Sequence, residues 1–239
     1  MATVGLFIPC YMAVARPDDA LHARRVLEAL GDTVEAIDGL CCGQPAFNSG
    51  FREEARRVGR QALRAATDVD TIVVPSGSCT SMIRHYLPGL FERDRRRTAD
   101  IRSRRFVEFC SYVANHPERE SLELSLPGVI AYHDSCHGRR EVGITLTVKD
   151  LLGSIGELEV RTLTHEDECC GFGGTFSVKF PEVSREMSAC KLADVRQTGA
   201  RVLVSADLSC LLHLETAARE ERLRIETWSM AEVLARALP

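Results

Sequence analysis

Ten cysteines in a chain of 239 residues invite a chemical explanation, and their order suggests one. The stretches "LCCGQPAFNSG" (Leu40 to Gly50) and "ECCGFGGTFS" (Glu168 to Ser177) each set adjacent cysteines against a glycine. Cys10 precedes the pair Cys41–Cys42 and Cys79 follows it; Cys136 and Cys210 flank Cys169–Cys170 in the same way. The two sets read C-x30-CC-x36-C and C-x32-CC-x39-C. Where thiols are kept reduced, such clusters point to metal binding or redox chemistry rather than to structural disulfides. Structural zinc sites usually take their cysteines from C-x2–4-C knuckles, and no C-x-x-C occurs here. Adjacent cysteines chelate one ion poorly but can reach different irons of one cluster, and four thiolates match the ligand count of a [4Fe–4S] cluster. Gly43, Gly171, Gly173 and Gly174 would let bare backbone approach inorganic sulfide and donate N–H bonds to it. Zinc binding and thiol–disulfide chemistry remain competing readings of the same residues.

The elements that must position these thiols repeat as well. Cys10 and Cys136 are 126 residues apart, the cysteine pairs 128, and Cys79 and Cys210 131. That slow drift is what small loop insertions in a duplicated unit would give. "TVGLFIPC" and "GVIAYHDSC" are apolar runs ending in a cysteine, and "TIVVPSGSC" and "ARVLVSADLSC" repeat the pattern before the last cysteine of each half. All four read as buried strands. Between them, Phe51, Ala55, Val58, Ala62 and Ala66 mark one face of a helix, and "EVSREMSACKLADVRQTG" predicts another that stops at Gly199. The expectation is an α/β fold: two pseudo-symmetric halves of βαβ units with parallel sheets and the cysteines at the carboxyl ends of strands, where such sheets bind ligands. The halves are expected at residues 1–120 and 121–239, joined through the proline-bounded segment Asn115 to Gly128.

Bulk properties exclude several classes. Net charge is −4, which gives no reason to expect wholesale nucleic-acid binding. No apolar run approaches the roughly 18 residues of a membrane span. The apolar start lacks a basic leader and is broken by Pro9, so a cytoplasmic protein is expected. Seven arginines between Glu92 and Arg105 read as a solvated segment, with a docking site for an acidic partner as the sharper alternative. No G-x-G-x-x-G dinucleotide signature is present, and no catalytic residue is assigned.

Other residues carry weaker expectations. Cys110 and Cys190 have no counterpart in the duplication and are expected in the core. His133 and His137 flank Cys136 in "YHDSCHGRR"; with Arg139 and Arg140 they would bring positive charge to the second set, for a carboxylate or a reduced cluster. A strand-end histidine bonded to backbone explains them equally well. Gln44, Asn48 and Ser177 are candidate hydrogen-bond donors around a cluster.

Four strings, "CCGQPAFNSG", "PSGSCTSM", "CCGFGGTFSVK" and "ADLSCLLH", carry a family resemblance. They resemble the cysteine-rich CCG domain found in heterodisulfide reductases and in the iron–sulfur proteins of glycolate and glycerol-3-phosphate oxidation. They are most similar to the lactate utilization protein A family, in matching order from Cys10 to the C-terminus. The resemblance implies an iron–sulfur component of a multi-protein oxidoreductase system converting L-lactate, or a related 2-hydroxy acid, to pyruvate by electron transfer. Its partners would include a ferredoxin-like iron–sulfur protein and a third protein without this cysteine pattern, and the chain alone need not turn over lactate. One departure stands out. Heterodisulfide reductase relatives end each half in C-x-x-C and hold a five-cysteine noncubane cluster, whereas Ser76 and Asp207 occupy that first cysteine position here. The expectation is therefore one [4Fe–4S] cluster per half on Cys10, Cys41, Cys42 and Cys79 and on Cys136, Cys169, Cys170 and Cys210. Ser76, Asp207 and His137 are expected near the clusters.

Overall fold

A computed structural model describes residues 2–66 and 69–239. The chain divides into two compact units, Met1–Leu122 and Glu123–Pro239. The first is built on four parallel strands, β1 (Thr3–Phe7), β2 (Thr33–Ile37), β3 (Ile72–Val74) and β4 (Phe106–Glu108), in the order β2-β1-β3-β4. The second repeats this with β5 (Ser125–Tyr132), β6 (Gly156–Arg161), β7 (Val202–Ser205) and β8 (Glu226–Ser229), in the order β6-β5-β7-β8. The α/β expectation of two parallel-sheet halves is met.

The central strands are what their sequences dictate. Ile72, Val73 and Val74 are all fully buried, a continuous apolar run with β-branched side chains suited to a sheet covered on both faces. Helices make the crossovers that parallel pairing requires. The helix Arg52–Ala65 buries Ala55, Gly59, Ala62 and Leu63 and carries Glu53 and Glu54 in its first turn, where they favour the helix dipole. The helix Pro181–Gln197 starts on a proline, and the chain turns away at Gly199 with φ +70°.

In each sheet the chain runs to one side of the first strand and then to the other. This places a topological switch at β1 in one unit and at β5 in the other, where the crevice beyond the strand ends is the favoured ligand site. Cys10 lies three residues past the end of β1 and Cys79 five past the end of β3.

Two local expectations are corrected. The segment Asn115 to Gly128 is not all linker, because Ser125–Gly128 form the first half of β5 and pair with β6. Cys190 is exposed on the helix Pro181–Gln197, whereas Cys110 is fully buried as expected. The helical pattern around Cys190 holds, but its burying face is set by Ser184, Ser188, Lys191, Leu192 and Val195. The arginine-rich segment forms the helix Arg93–Ser103, largely exposed.

Candidate metal centres

Each unit gathers its four expected thiols into a chain of hydrogen-bonding neighbours. In the first, Cys10 contacts Cys41, Cys41 contacts Cys42, and Cys42 contacts Cys79. In the second, the order is Cys136, Cys169, Cys170, Cys210. All eight are free thiols; Cys42, Cys79, Cys170 and Cys210 are buried.

The chain has a polarity. Cys41 accepts from Cys10 and Cys42, and these bonds hold its pKa far below that of a free thiol. The Gly43 amide adds to this, donating to Cys41 Sγ at 3.4 Å. Cys169 is lowered in the same way by Cys136 and Cys170, with the Gly171 amide donating to its Sγ at 3.4 Å. The neighbours that donate are pushed up: Cys10 and Cys42 by Cys41, Cys136 and Cys170 by Cys169. Each unit thus sets out one thiol disposed to ionise and three thiols around it. Thiolate is the metal-binding form of cysteine.

Both glycines of the Cys-Cys-Gly cores are required by geometry. Gly43 and Gly171 have φ +88°, and a Cβ on either would meet the carbonyl oxygen of Ala55 or Ser184 at 2.7 Å. A side chain is excluded at both positions by conformation and by space. Gly173 and Gly174 also have positive φ, at +52° and +62°, and lead into the short helix Thr175–Lys179.

Ser76 and Asp207 occupy matching positions with a definite task. Ser76, fully buried, caps the helix Gly77–Ser81 by accepting the Cys79 N–H at 3.2 Å, and its Oγ also accepts from Tyr11 Oη at 2.9 Å. Asp207 caps Leu208–Glu220, its Oδ1 accepting the Ser209 N–H at 3.2 Å and the Ser209 hydroxyl at 2.7 Å. Both residues hold the helix turn on which the last cysteine of the set rides.

Of the outlying residues, His137 is half-buried, with Nδ1 3.5 Å from Cys136 Sγ. Arg139 pairs with Asp167 at 3.6 Å. Asn48 is exposed at the end of the helix Gln44–Asn48, and Ser177 donates to the Gly174 carbonyl at 2.9 Å. His133 departs from expectation. It is fully buried, and burial together with the charge of Lys191 lowers its pKa to about 4, so it is neutral rather than a source of positive charge. Neither of its ring nitrogens has a hydrogen-bond partner among the described residues.

Sequence reasoning missed one residue of the site. Lys191 is buried and donates from Nζ to the His165 carbonyl, while Asp194 accepts the N–H groups of Thr164 at 2.9 Å and His165 at 2.8 Å. Together they fix the approach to Cys169. A lysine on an otherwise burying helical face was the available signal.

The donor set fits an iron–sulfur cluster: four contiguous soft ligands per unit, one of them readily ionised, with a backbone N–H turned to sulfur. Residues 4–84 and 130–215 match the family model of the cysteine-rich CCG domain, and each match spans one complete thiol chain. Lactate utilization protein A 1 of Bacillus anthracis is 34% identical over 238 residues, with 98% of each chain covered. Lactate utilization protein A of an Exiguobacterium species is 36% identical over 239 residues, covering 98% of this chain and 97% of that one. The chain belongs to the lactate utilization protein A family of CCG proteins. Among solved structures, a putative Asp/Glu racemase from Yersinia pestis aligns over 99% of this chain and 97% of that one, at 12% identity and a TM-score of 0.40, too low a likeness to inform function. The two matched segments hold nine of the ten cysteines: Cys110 lies outside both, and Cys190 lies within the second but outside its thiol chain.

A cavity of about 780 Å³ in the first unit, lined by Ala2, Asp32, Tyr112 and His116 among others, adjoins the amino ends of β1 and β2, the end opposite the cysteines. Among the described residues, no helix is long and apolar enough to cross a membrane.

Proposed function

We infer that each unit holds one [4Fe–4S] cluster on its four thiols, and that the protein is an electron-carrying component of a system oxidising L-lactate to pyruvate, or a related 2-hydroxy acid to its 2-oxo acid. The observation that carries this reading is the thiol chain itself, built twice in the same order with the same glycine N–H to sulfur bond. The names of the relatives support the substrate class.

Bound there, an iron–sulfur cluster supplies one-electron exchange, and two such centres match in number the two electrons released when a 2-hydroxy acid becomes a 2-oxo acid. The chain's own residues hold and tune. Cys41 and Cys169 present the most acidic thiols, and the Gly43 and Gly171 amides offset negative charge on sulfur. The caps at Ser76 and Asp207 fix the direction of Cys79 and Cys210. No group on this chain is assigned to take hydride or proton from the substrate. The reading therefore places that step on a partner, with a ferredoxin-like iron–sulfur protein receiving electrons in the same cytoplasmic assembly.

A thiol–disulfide function is the second reading, favoured by the single lowered thiol beside a vicinal partner in each unit. Anaerobic purification followed by iron and acid-labile sulfide assays and Mössbauer spectroscopy separates the two. The expected result is about four irons and four sulfides per unit. Zinc without labile sulfide, or a metal-free protein that exchanges disulfides, would overturn the cluster reading.

A further inference from the structure

The two thiol chains are alike, but their surroundings are not. Strand register aligns the two units residue by residue. In the first unit Leu6 of β1 lies opposite Val73 of β3, and in the second Tyr132 of β5 lies opposite Val204 of β7. Val73 and Val204 each stand six residues before the last cysteine of their set. The next residue along the central strand is therefore Phe7 in one unit and His133 in the other.

Phe7 behaves as an apolar ring in that place should. It is fully buried, packs in one core cluster with Cys42 and Cys79, and meets Phe106 edge-on with ring centres 6.0 Å apart. His133 occupies the same place against the matching cysteines. One of its ring nitrogens and the sulfurs of Cys170 and Cys210 all lie within 4.8 Å of one another. A neutral imidazole carries one N–H and one lone pair, and a buried ring needs partners for them. Neither nitrogen of His133 has one among the described residues, although its own backbone N–H is bonded to the Val204 carbonyl at 2.8 Å. Imidazole nitrogen and thiolate sulfur are a common mixed donor set for iron and zinc.

We propose that His133 is a nitrogen ligand of the second metal centre, beside Cys136, Cys169, Cys170 and Cys210, and that the first centre has no counterpart. The proposal rests on reading the two thiol chains as metal centres. It gives the second unit five protein donors and the first unit four, so the two clusters are chemically distinct. The fifth donor comes from the strand end rather than from Ser76 or Asp207, whose oxygens cap helices.

The test uses the full chain, purified anaerobically with its own iron, labelled with 15N-histidine, reduced and studied by pulsed electron paramagnetic resonance. A strongly coupled nitrogen that follows the label is expected, and it should vanish in His133→Phe while the signal of the first centre persists. His137→Asn and His213→Asn should each retain the coupling, which assigns it to His133 even if His133→Phe does not fold. A cluster spectrum without strong histidine coupling, or a coupling that survives His133→Phe, would overturn the assignment while leaving the cluster reading intact. Absence of iron and labile sulfide would remove both.

Discussion

At the scale of single residues, Ser76 and Asp207 show how one position can suggest two roles. In sequence they stand where relatives of heterodisulfide reductase have a cysteine, which places their oxygens near a cluster. In the structure their oxygens satisfy helix N-termini that would otherwise be buried without partners. A cap of this kind contributes about 1 kcal/mol. Ser76→Ala is therefore expected to lower unfolding stability by about 1 kcal/mol while leaving iron and sulfide content unchanged. Denaturant titration beside an iron assay checks it, and loss of iron without loss of stability would make Ser76 a cluster ligand instead of a cap. Gly43 and Gly171 were assigned to backbone approach and N–H donation. In the structure their amides donate to the Cys41 and Cys169 sulfurs, and the positive φ together with the close carbonyl leaves no room for a side chain at either position.

At the scale of elements, the central strands were legible because burial on both faces leaves continuous apolar runs. The outer strands were not. β2 and β6 are mostly exposed or half-buried and carry charged residues such as Glu35, Glu157 and Glu159, and β4 is only three residues long. Pairing to a neighbour, not composition, makes them strands. The end of β4 also carries a titratable cap. Glu108 is buried, with Oε2 accepting the Ser111 N–H at 2.9 Å and Oε1 without a partner among the described residues, and desolvation raises its pKa to about 7. A carboxyl raised on folding stabilises the fold fully below its unfolded pKa, and that contribution is lost as pH rises through the folded value. Stability is thus expected to fall between about pH 4.5 and pH 7 through this group. Glu108→Gln keeps the acceptor and removes the charge. It should flatten that slope and stabilise the protein at pH 8 by at most on the order of 3 kcal/mol, read by denaturant midpoints across the range. An unchanged slope would show that water reaches the carboxylate.

At the scale of the whole molecule, the repeated unit predicts separable centres. Each thiol chain lies within one compact unit. Cys169→Ala is expected to remove the second cluster and spare the first, so that iron and labile sulfide fall to about half. A complete loss, or no loss, would defeat the assignment of four thiols per unit.

What the sequence determined by itself was the duplication, the eight paired-set cysteines, the parallel α/β class and the central strands, because spacing and burial periodicity are local properties of a chain. Tertiary structure decided the capping roles of Ser76 and Asp207, the exposure of Cys190, the burial of Lys191 and the lack of a partner, among the described residues, for the ring nitrogens of His133. Those depend on which distant atoms surround a polar group. Whether a buried polar group finds a hydrogen-bond partner is decided by the strands and helices packed around it, and for His133 these surroundings exist only once β5 and β7 lie side by side.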